Sequence, residues 1–186
     1  MQAHSLHFVF AIGLASYLSL YPLLLFPPLL ILTYDAHARR DAQQQQPPDV
    51  IKFSIAHILG LTATLSTLLY TSSLITGSWQ FLSSTYGVWL LLPDLTPNSG
   101  LWWYFFTEMF DSFREFFLGV FWLHMGSYVG AFCVRLRAQP LFVVVILLGL
   151  FAIFMPYPSV AESGLFLSVV GLYRHLVPRK CSISVT

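Results

Sequence analysis

Five apolar stretches, at residues 8–32, 51–76, 101–134, 141–155 and 160–177, take up most of this 186-residue chain. A hydrocarbon core of about 30 Å needs about 20 helical residues to cross it, and the first three stretches exceed that length. The fourth stops short of it at Pro156, and the fifth carries Glu162 and two glycines, so it reads as a span, a re-entrant segment or an interfacial one. The pattern predicts an all-α fold: a polytopic membrane helix bundle of about five spanning or partly spanning helices over residues 1–177, with a short tail at 178–186. Only 9% of the residues are charged, against about 25% in soluble domains, which points to lipid as the solvent. The formal charge of +1 forms no basic stripe, and no nucleic-acid-binding module is present.

The first stretch does not read as a secretory signal. Residues 1–7 lack a basic region, and the apolar run that follows is too long. Pro22, Pro27 and Pro28 lie within it, so the expectation is one span with a kinked C-terminal half.

Basic residues sort by segment. Arg39, Arg40 and Lys52 lie between the first two stretches, Arg135 and Arg137 between the third and fourth, and Arg174, Arg179 and Lys180 after the fifth. Eight of the nine thus fall on one side of an alternating five-span arrangement; Arg114 is the exception. The positive-inside rule makes that side cytosolic and puts the N-terminus and residues 77–100 on the luminal side. Residues 33–50, with the run Gln43–Gln46 and Pro47-Pro48, are expected to form a solvated cytosolic loop. Residues 77–100 hold Trp79, Phe81, Tyr86 and Trp89, too apolar for a free loop and too broken by turn formers and Pro93 for a span. An interfacial helix or re-entrant loop follows, either as an ordinary aromatic belt or as part of a ligand site.

The third stretch is too long for one upright span. Residues 116–134 are free of charge and suffice alone, which leaves 101–115 at the luminal interface or packed inside the protein. On a continuous helix, Glu108, Asp111, Arg114 and Glu115 fall within an arc of about 120°. Phe105, Phe106, Met109, Phe110, Phe113, Phe116 and Phe117 take the other side. Asp111 and Arg114 are spaced to pair, while Glu108 and Glu115 have no second base on the same helix. Water at a solvated helix end would satisfy them; so would another subunit or a cationic ligand.

Catalytic chemistry finds little support. His4 and His7 have no acidic or thiol neighbour to complete a metal set. His57 and His124 stand alone in apolar stretches, without a nucleophile or an orienting base, and read as packing residues. Cys133 and Cys181 form neither a CxxC nor a disulfide framework. No catalytic residue, metal or cofactor is assigned. A membrane-bound glycosyl- or acyltransferase is the alternative class; it would need paired luminal carboxylates, for which Asp94 and Glu108 are the available couple. A transporter would call for inverted repeats or broken helices, hinted at only by Pro22–Pro28.

Two motifs carry a resemblance. Asp94-Leu-Thr-Pro-Asn98 and Trp103-Tyr-Phe-Phe-Thr-Glu-Met-Phe110 resemble the U subunit of glycosylphosphatidylinositol (GPI) transamidase. The likeness extends through Tyr17-Leu-Ser-Leu-Tyr-Pro22, Ser78-Trp-Gln-Phe81, Tyr86-Gly87, Ala152-Ile-Phe154, Tyr157-Pro158 and Tyr173–His175, up to about Leu176. The chain matches the central portion of that family, and residues 178–186 are not expected to continue it. The resemblance implies a fragment of a larger glycosyltransferase-like membrane fold, multi-pass in the endoplasmic reticulum. It implies a non-catalytic subunit of a complex that exchanges a protein's C-terminal signal for GPI, with the nucleophilic cysteine on another, protease-like subunit. Partners would be the other subunits, the GPI lipid and the membrane. The candidate lipid-binding residues are Trp102, Trp103, Tyr104, Phe105, Phe106, Glu108, Met109, Phe110, Asp111 and Phe113, with Asp94, Thr96, Pro97 and Asn98 as a luminal motif. The aromatic motif has also been likened to fatty-acid elongases, which implies acyl-chain contact; the histidine cluster of an elongase is missing.

Overall fold

In the computed structural model, which describes residues 2–41, 49–91, 96–98 and 100–173, the described residues are helical and contain no strand. The longest helix shows how local chemistry sets the elements. Asp49 caps α4 (Val50–Thr76) by accepting from the Ile51 amide at 3.0 Å. Gly77 ends it in the left-handed region at φ 69°, its amide donating to the Ser73 carbonyl. Between the caps, Thr62, Thr64, Thr67, Thr71, Ser73 and Thr76 return their hydroxyls to carbonyls three or four residues back. A hydroxyl satisfied by its own helix does not need water, so this helix keeps polar residues without losing compatibility with lipid.

The first apolar stretch is two antiparallel legs rather than one kinked span. Helix α1 (Gln2–Leu18) stops at Ser19-Leu20; α2 (Tyr21–Leu24) and α3 (Phe26–Asp41) then run back. Pro22 sits at the start of α2, and Pro27 and Pro28 lie in the first turn of α3, where a missing amide costs nothing. The prolines start helices here instead of bending one. The reversal is recorded by side chains: Phe8 stacks on Phe26 at 6.2 Å, while Tyr34 and His37 reach Phe53. Helix α1 instead runs parallel to α4, with Val9 on Gly60, Gly13 on Thr64 and Tyr17 hydrogen-bonded to Ser72. A Cβ at Gly13 would lie 2.8 Å from the Thr64 methyl, so these two helices approach through small residues.

This arrangement corrects two expectations. The first turns of α1 lie at the end of the molecule shared with the start of α4, not at the opposite end, so the N-terminal leg and the basic loops are on one side. Residues 33–41, expected in a loop, continue α3 as a helical extension past its apolar part. The Gln43–Pro48 run lies outside the described residues, as do residues 174–186.

Of the remaining legs, α7 and α8 pack on α3, while α6 and α9 pack on α8. Helix α6 (Leu101–Thr107) leads into α7 (Asp111–Arg135), which descends; α8 (Pro140–Phe154) returns, and α9 (Val160–Leu172) descends again. Their core is Tyr21, Met125, Val129, Val143, Leu147, Phe151 and Met155. Glu162 has a structural account: it closes a capping box with Ser159, accepting from the Ser159 amide at 2.8 Å at the head of α9. The region 77–100 brings a π-helical turn at Ser83–Gly87 and the short α5 (Val88–Leu91) to the end opposite the basic loops, tied down by Tyr86 donating to the Tyr17 carbonyl. Asp35 on α3 meets Arg137 in the α7–α8 turn through two 2.9 Å hydrogen bonds, fastening the basic end. Among the described residues two helices, α4 and α7, are long and apolar enough to cross a membrane; only 11% and 17% of their apolar windows are buried by the rest of the chain.

Candidate functional site

The aromatic segment is not one helix. Its first part, α6, ends at Thr107, whose hydroxyl turns back to the Trp103 carbonyl at 2.7 Å. Glu108 and Met109 form a bend, and Phe110 takes an extended conformation (φ −66°, ψ 137°) ahead of α7. Asp111 then stands in the first turn of α7, where the helix dipole favours a carboxylate. The single 120° arc of charge expected on a continuous helix is therefore broken. Glu108 sits in the bend, and Asp111, Arg114 and Glu115 share α7 alone. Glu108, Asp111 and Glu115 are exposed, whereas Arg114 is half-buried.

The rings of the two helices fall into two sets. Trp102 is fully buried, Phe106 nearly so, and Phe105 and Met109 pack against them together with Phe117, Phe121 and Trp122. Ring centroids in this cluster lie 4.6 Å (Trp102–Phe121), 5.2 Å (Phe105–Phe121) and 5.5 Å (Phe105–Phe117) apart, in tilted or edge-on pairs. Trp102 Nε1 donates to the Phe154 carbonyl at the C-terminal end of α8, satisfying both groups. The second set turns outward: Phe110 is 81% exposed, Phe116 67%, Tyr104 64% and Phe113 54%. Rings that large stay outward only where something other than bulk water covers them.

The preceding loop is held by Asn98. Its Oδ1 accepts from the Gly100 amide at 2.7 Å, and its Nδ2 donates to the Pro156 carbonyl at 3.3 Å. Gly100 is pressed between this turn and Pro158; a Cβ there would come within 2.7 Å of both Asn98 Oδ1 and Pro158 Cδ. Asn98 thus joins the motif to the α8–α9 turn and is a positioning residue. Thr96 and Pro97 are exposed, and Asp94 lies outside the described residues. Beside the loop opens a cavity of about 520 Å³ lined by Gly100, Leu101, Tyr104, Ala152, Ile153, Pro158, Ser159, Val160 and Ser163. Of the residues selected from sequence, Tyr104 alone reaches it, together with the motif loop's neighbours. Ser159 and Ser163 were not foreseen, since no short spacing joins them to the motif; their signal is the chain reversal at Pro156 and Pro158.

His57 and His124 sit in aromatic packing. Each Nδ1 lies within 2.8 Å of a carbonyl of its own helix, Phe53 for His57 and Phe121 for His124, and their rings meet Phe53 and Phe154 respectively. Cys133 is half-buried against the core.

The family model described as GPI transamidase subunit PIG-U matches residues 1–186. The chain belongs to the PIG-U family. It is 35% identical over 171 residues to the GPI-anchor transamidase component PIGU of Homo sapiens, covering 89% of this chain and 38% of that protein. It is 35% identical over 166 residues to the GPI transamidase component GAB1 of Saccharomyces cerevisiae, covering 89% of this chain and 39% of that protein. A GAB1 homologue of Schizosaccharomyces pombe is 42% identical over 115 residues, 62% of this chain and 28% of its own. The chain spans about two fifths of the length of the first two relatives. The family match includes residues 178–186, against the expectation that they do not continue it.

Proposed function

We propose that the chain works within GPI transamidase as part of a non-catalytic, multi-pass subunit of the endoplasmic reticulum membrane. Its described legs, α1, α2–α3, α4, α6–α7, α8 and α9, alternate in direction along the chain and form a bundle whose exposed apolar faces suit lipid. Arg39, Arg40, Lys52, Arg135 and Arg137 all gather at one end, which the positive-inside rule assigns to the cytosol. The aromatic segment and the 520 Å³ cavity then lie at the luminal end, where a GPI lipid and a precursor protein meet. Buried Trp102 and Phe106 fix the segment, and outward Tyr104, Phe110 and Phe113 meet acyl chains or a neighbouring subunit. Glu108 and Asp111 beside them offer charge to a cationic group, such as the amine of an ethanolamine phosphate.

One observation carries this reading: the stretch most like the family motif is also where large apolar rings are turned outward beside exposed carboxylates. The test is complementation of cells lacking the subunit, using the full-length family protein with these positions altered. Phe110→Ala with Phe113→Ala is expected to lower GPI-anchored surface proteins and to raise complete GPI precursor, with assembly intact. Lost assembly would assign the rings to a subunit contact. Unchanged anchoring and assembly would overturn the site. Glycosylation acceptors inserted near Gly77 and near residue 45 test the orientation, and only the first is expected to be modified.

A further inference from the structure

The 520 Å³ cavity beside the aromatic segment has an electrostatic sign that its side chains alone do not show. It opens at the C-terminal end of α8, where the last four carbonyls of the helix, Phe151 to Phe154, lack a partner on a following turn. Two of them are answered: the Met155 amide donates to Phe151, and Trp102 Nε1 donates to Phe154. The carbonyls of Ala152 and Ile153 accept from no donor among the described residues. Pro156 stands four residues after Ala152 and has no N–H to give it. Both residues line the cavity, and helix carbonyls point along the axis toward this end. Tyr104 and Ser163 line it too, and neither hydroxyl has a hydrogen-bond partner among the described residues. No Lys, Arg or His lines the cavity, and α8 has no basic residue in its last turn, so the negative end of its dipole is unanswered. The positive ends of α6 and α9 also border the space, but each already faces an acceptor. Asn98 Oδ1 takes the Gly100 amide, and the Glu162 carboxylate takes the Ser159 amide.

We propose that this cavity seats the primary ammonium of an ethanolamine lipid headgroup. Its three N–H groups donate to the Ala152 and Ile153 carbonyls and to the hydroxyl of Tyr104 or Ser163, with the exposed Tyr104 ring beside the charge. Free acceptors in a negative field, with no fixed cation, select a charged donor. A phosphate or carboxylate would meet more acceptors, a neutral alcohol would leave the field unmet, and a quaternary amine has no N–H to give. Leu101, Ile153 and Val160 border the same cavity at 46%, 58% and 88% exposure, which suits an amine carried on a lipid rather than one free in water. The headgroup phosphate, two carbons from the amine, stays at the mouth. Phosphatidylethanolamine of the bilayer and an ethanolamine phosphate on GPI share this chemistry. Glu108 and Asp111 do not line the cavity, so their charge draws an amine to this end and the cavity seats it. The inference rests on the reading of this end as the lipid-facing site.

The test is native mass spectrometry of the chain released from detergent micelles containing equal amounts of phosphatidylethanolamine and phosphatidylcholine with the same acyl chains. Phosphatidylethanolamine is expected to be retained about tenfold over phosphatidylcholine, the effect of one hydrogen bond to a charged group. Ser163→Met fills the cavity from an exposed position and is expected to abolish the preference with the thermal melt unchanged. Ser163→Lys is expected to abolish it too and to melt above Ser163→Met, because its own ammonium takes the seat. Ser168→Ala removes an α9 hydroxyl that bonds the Gly164 carbonyl outside the cavity, and is expected to change nothing. Equal retention of the two lipids would overturn the proposal. So would a preference that survives Ser163→Met, which means another seat, or a Ser163→Lys chain that melts no higher than Ser163→Met, which means no preference for a cation. Displacement by millimolar choline as readily as by millimolar ethanolamine would also overturn it, since attraction would then need no N–H. Anchoring in cells by the full-length family protein carrying Ser163→Met, with assembly intact, separates the two sources. Reduced anchoring assigns the seated amine to GPI, and unchanged anchoring assigns it to the bulk phospholipid. A failed lipid assay leaves the proposed subunit role untouched, because that role is read from assembly and anchoring.

Discussion

The aromatic segment has two faces of nearly the same composition, and they do opposite things. On one, Trp102 and Phe106 are buried, edge-packed on Phe121 and Trp122, and bonded to the end of α8. On the other, Tyr104, Phe110, Phe113 and Phe116 are turned away from the chain. Aromatic content alone does not distinguish a fold anchor from a contact surface. Each face draws residues from both sides of the break at 108–110, Tyr104 before it being outward and Phe117 after it inward, so packing against α7 and the end of α8 makes the distinction.

The comparison is broken most directly by Trp102→Ala. Removing a fully buried indole is expected to cost about 3–5 kcal/mol, and it also strands the Phe154 carbonyl. Thermal unfolding in detergent should show a large fall in midpoint. A midpoint equal to the parent chain would show that this face does not anchor the fold.

Gly100→Ala comes next. Its Cβ would meet Asn98 Oδ1 and Pro158 at 2.7 Å, so the loop or the α8–α9 turn must shift, at about 1–3 kcal/mol. Asn98→Ala should be milder, since it removes three hydrogen bonds but creates no clash. A larger loss from Asn98→Ala than from Gly100→Ala would reverse the view that close approach, rather than hydrogen bonding, sets this joint.

A control at the opposite end separates anchoring by packing from anchoring by charge. The bridge from Arg137 holds the Asp35 carboxyl below the usual carboxylate range, against the opposing effect of its partial burial. A lowered folded pKa contributes stability above the unfolded value and loses it as pH falls through the folded one. The contribution is therefore steady from pH 8 to pH 5 and fades only below about pH 4. Asp35→Asn is expected to cost about 0–1 kcal/mol at pH 7, because the pair is partly exposed. The same variant should flatten the acid limb of a pH–stability curve. An unaltered acid limb would show that the bridge does not contribute.

Much of this was legible in the sequence, for identifiable reasons. The all-helical character and the gathering of basic residues follow from composition and spacing, and the Asp49 and Gly77 caps obey local rules. The reversal at Ser19-Leu20 was not legible as such. Pro22, Pro27 and Pro28 look alike whether they kink a helix or start one, and only the Phe8–Phe26 contact, which is tertiary, decides. The break at 108–110 left a fainter trace: Asp111-Ser112 fits a helix start, but the aromatic run at 102–106 and Phe110 before it mask the signal. Burial of Trp102 depends on α8, about 50 residues away, which no local pattern reports.

The smallest expected effect sharpens the comparison furthest. Phe110 makes little contact within the chain, so Phe110→Ala should move the unfolding midpoint by no more than about 0.5 kcal/mol equivalent, the range of ordinary surface substitutions. Phe113→Ala and Glu108→Gln should be equally silent, since both side chains are exposed. The loss is expected to appear only when a partner or lipid is present, as reduced anchoring or reduced copurification by the full-length subunit. Trp102→Ala should show the reverse order, with stability failing first and activity failing because of it. Equal loss of stability from Phe110→Ala and Trp102→Ala would mean the rings on both faces hold the fold together. The outward set would then be no contact surface at all.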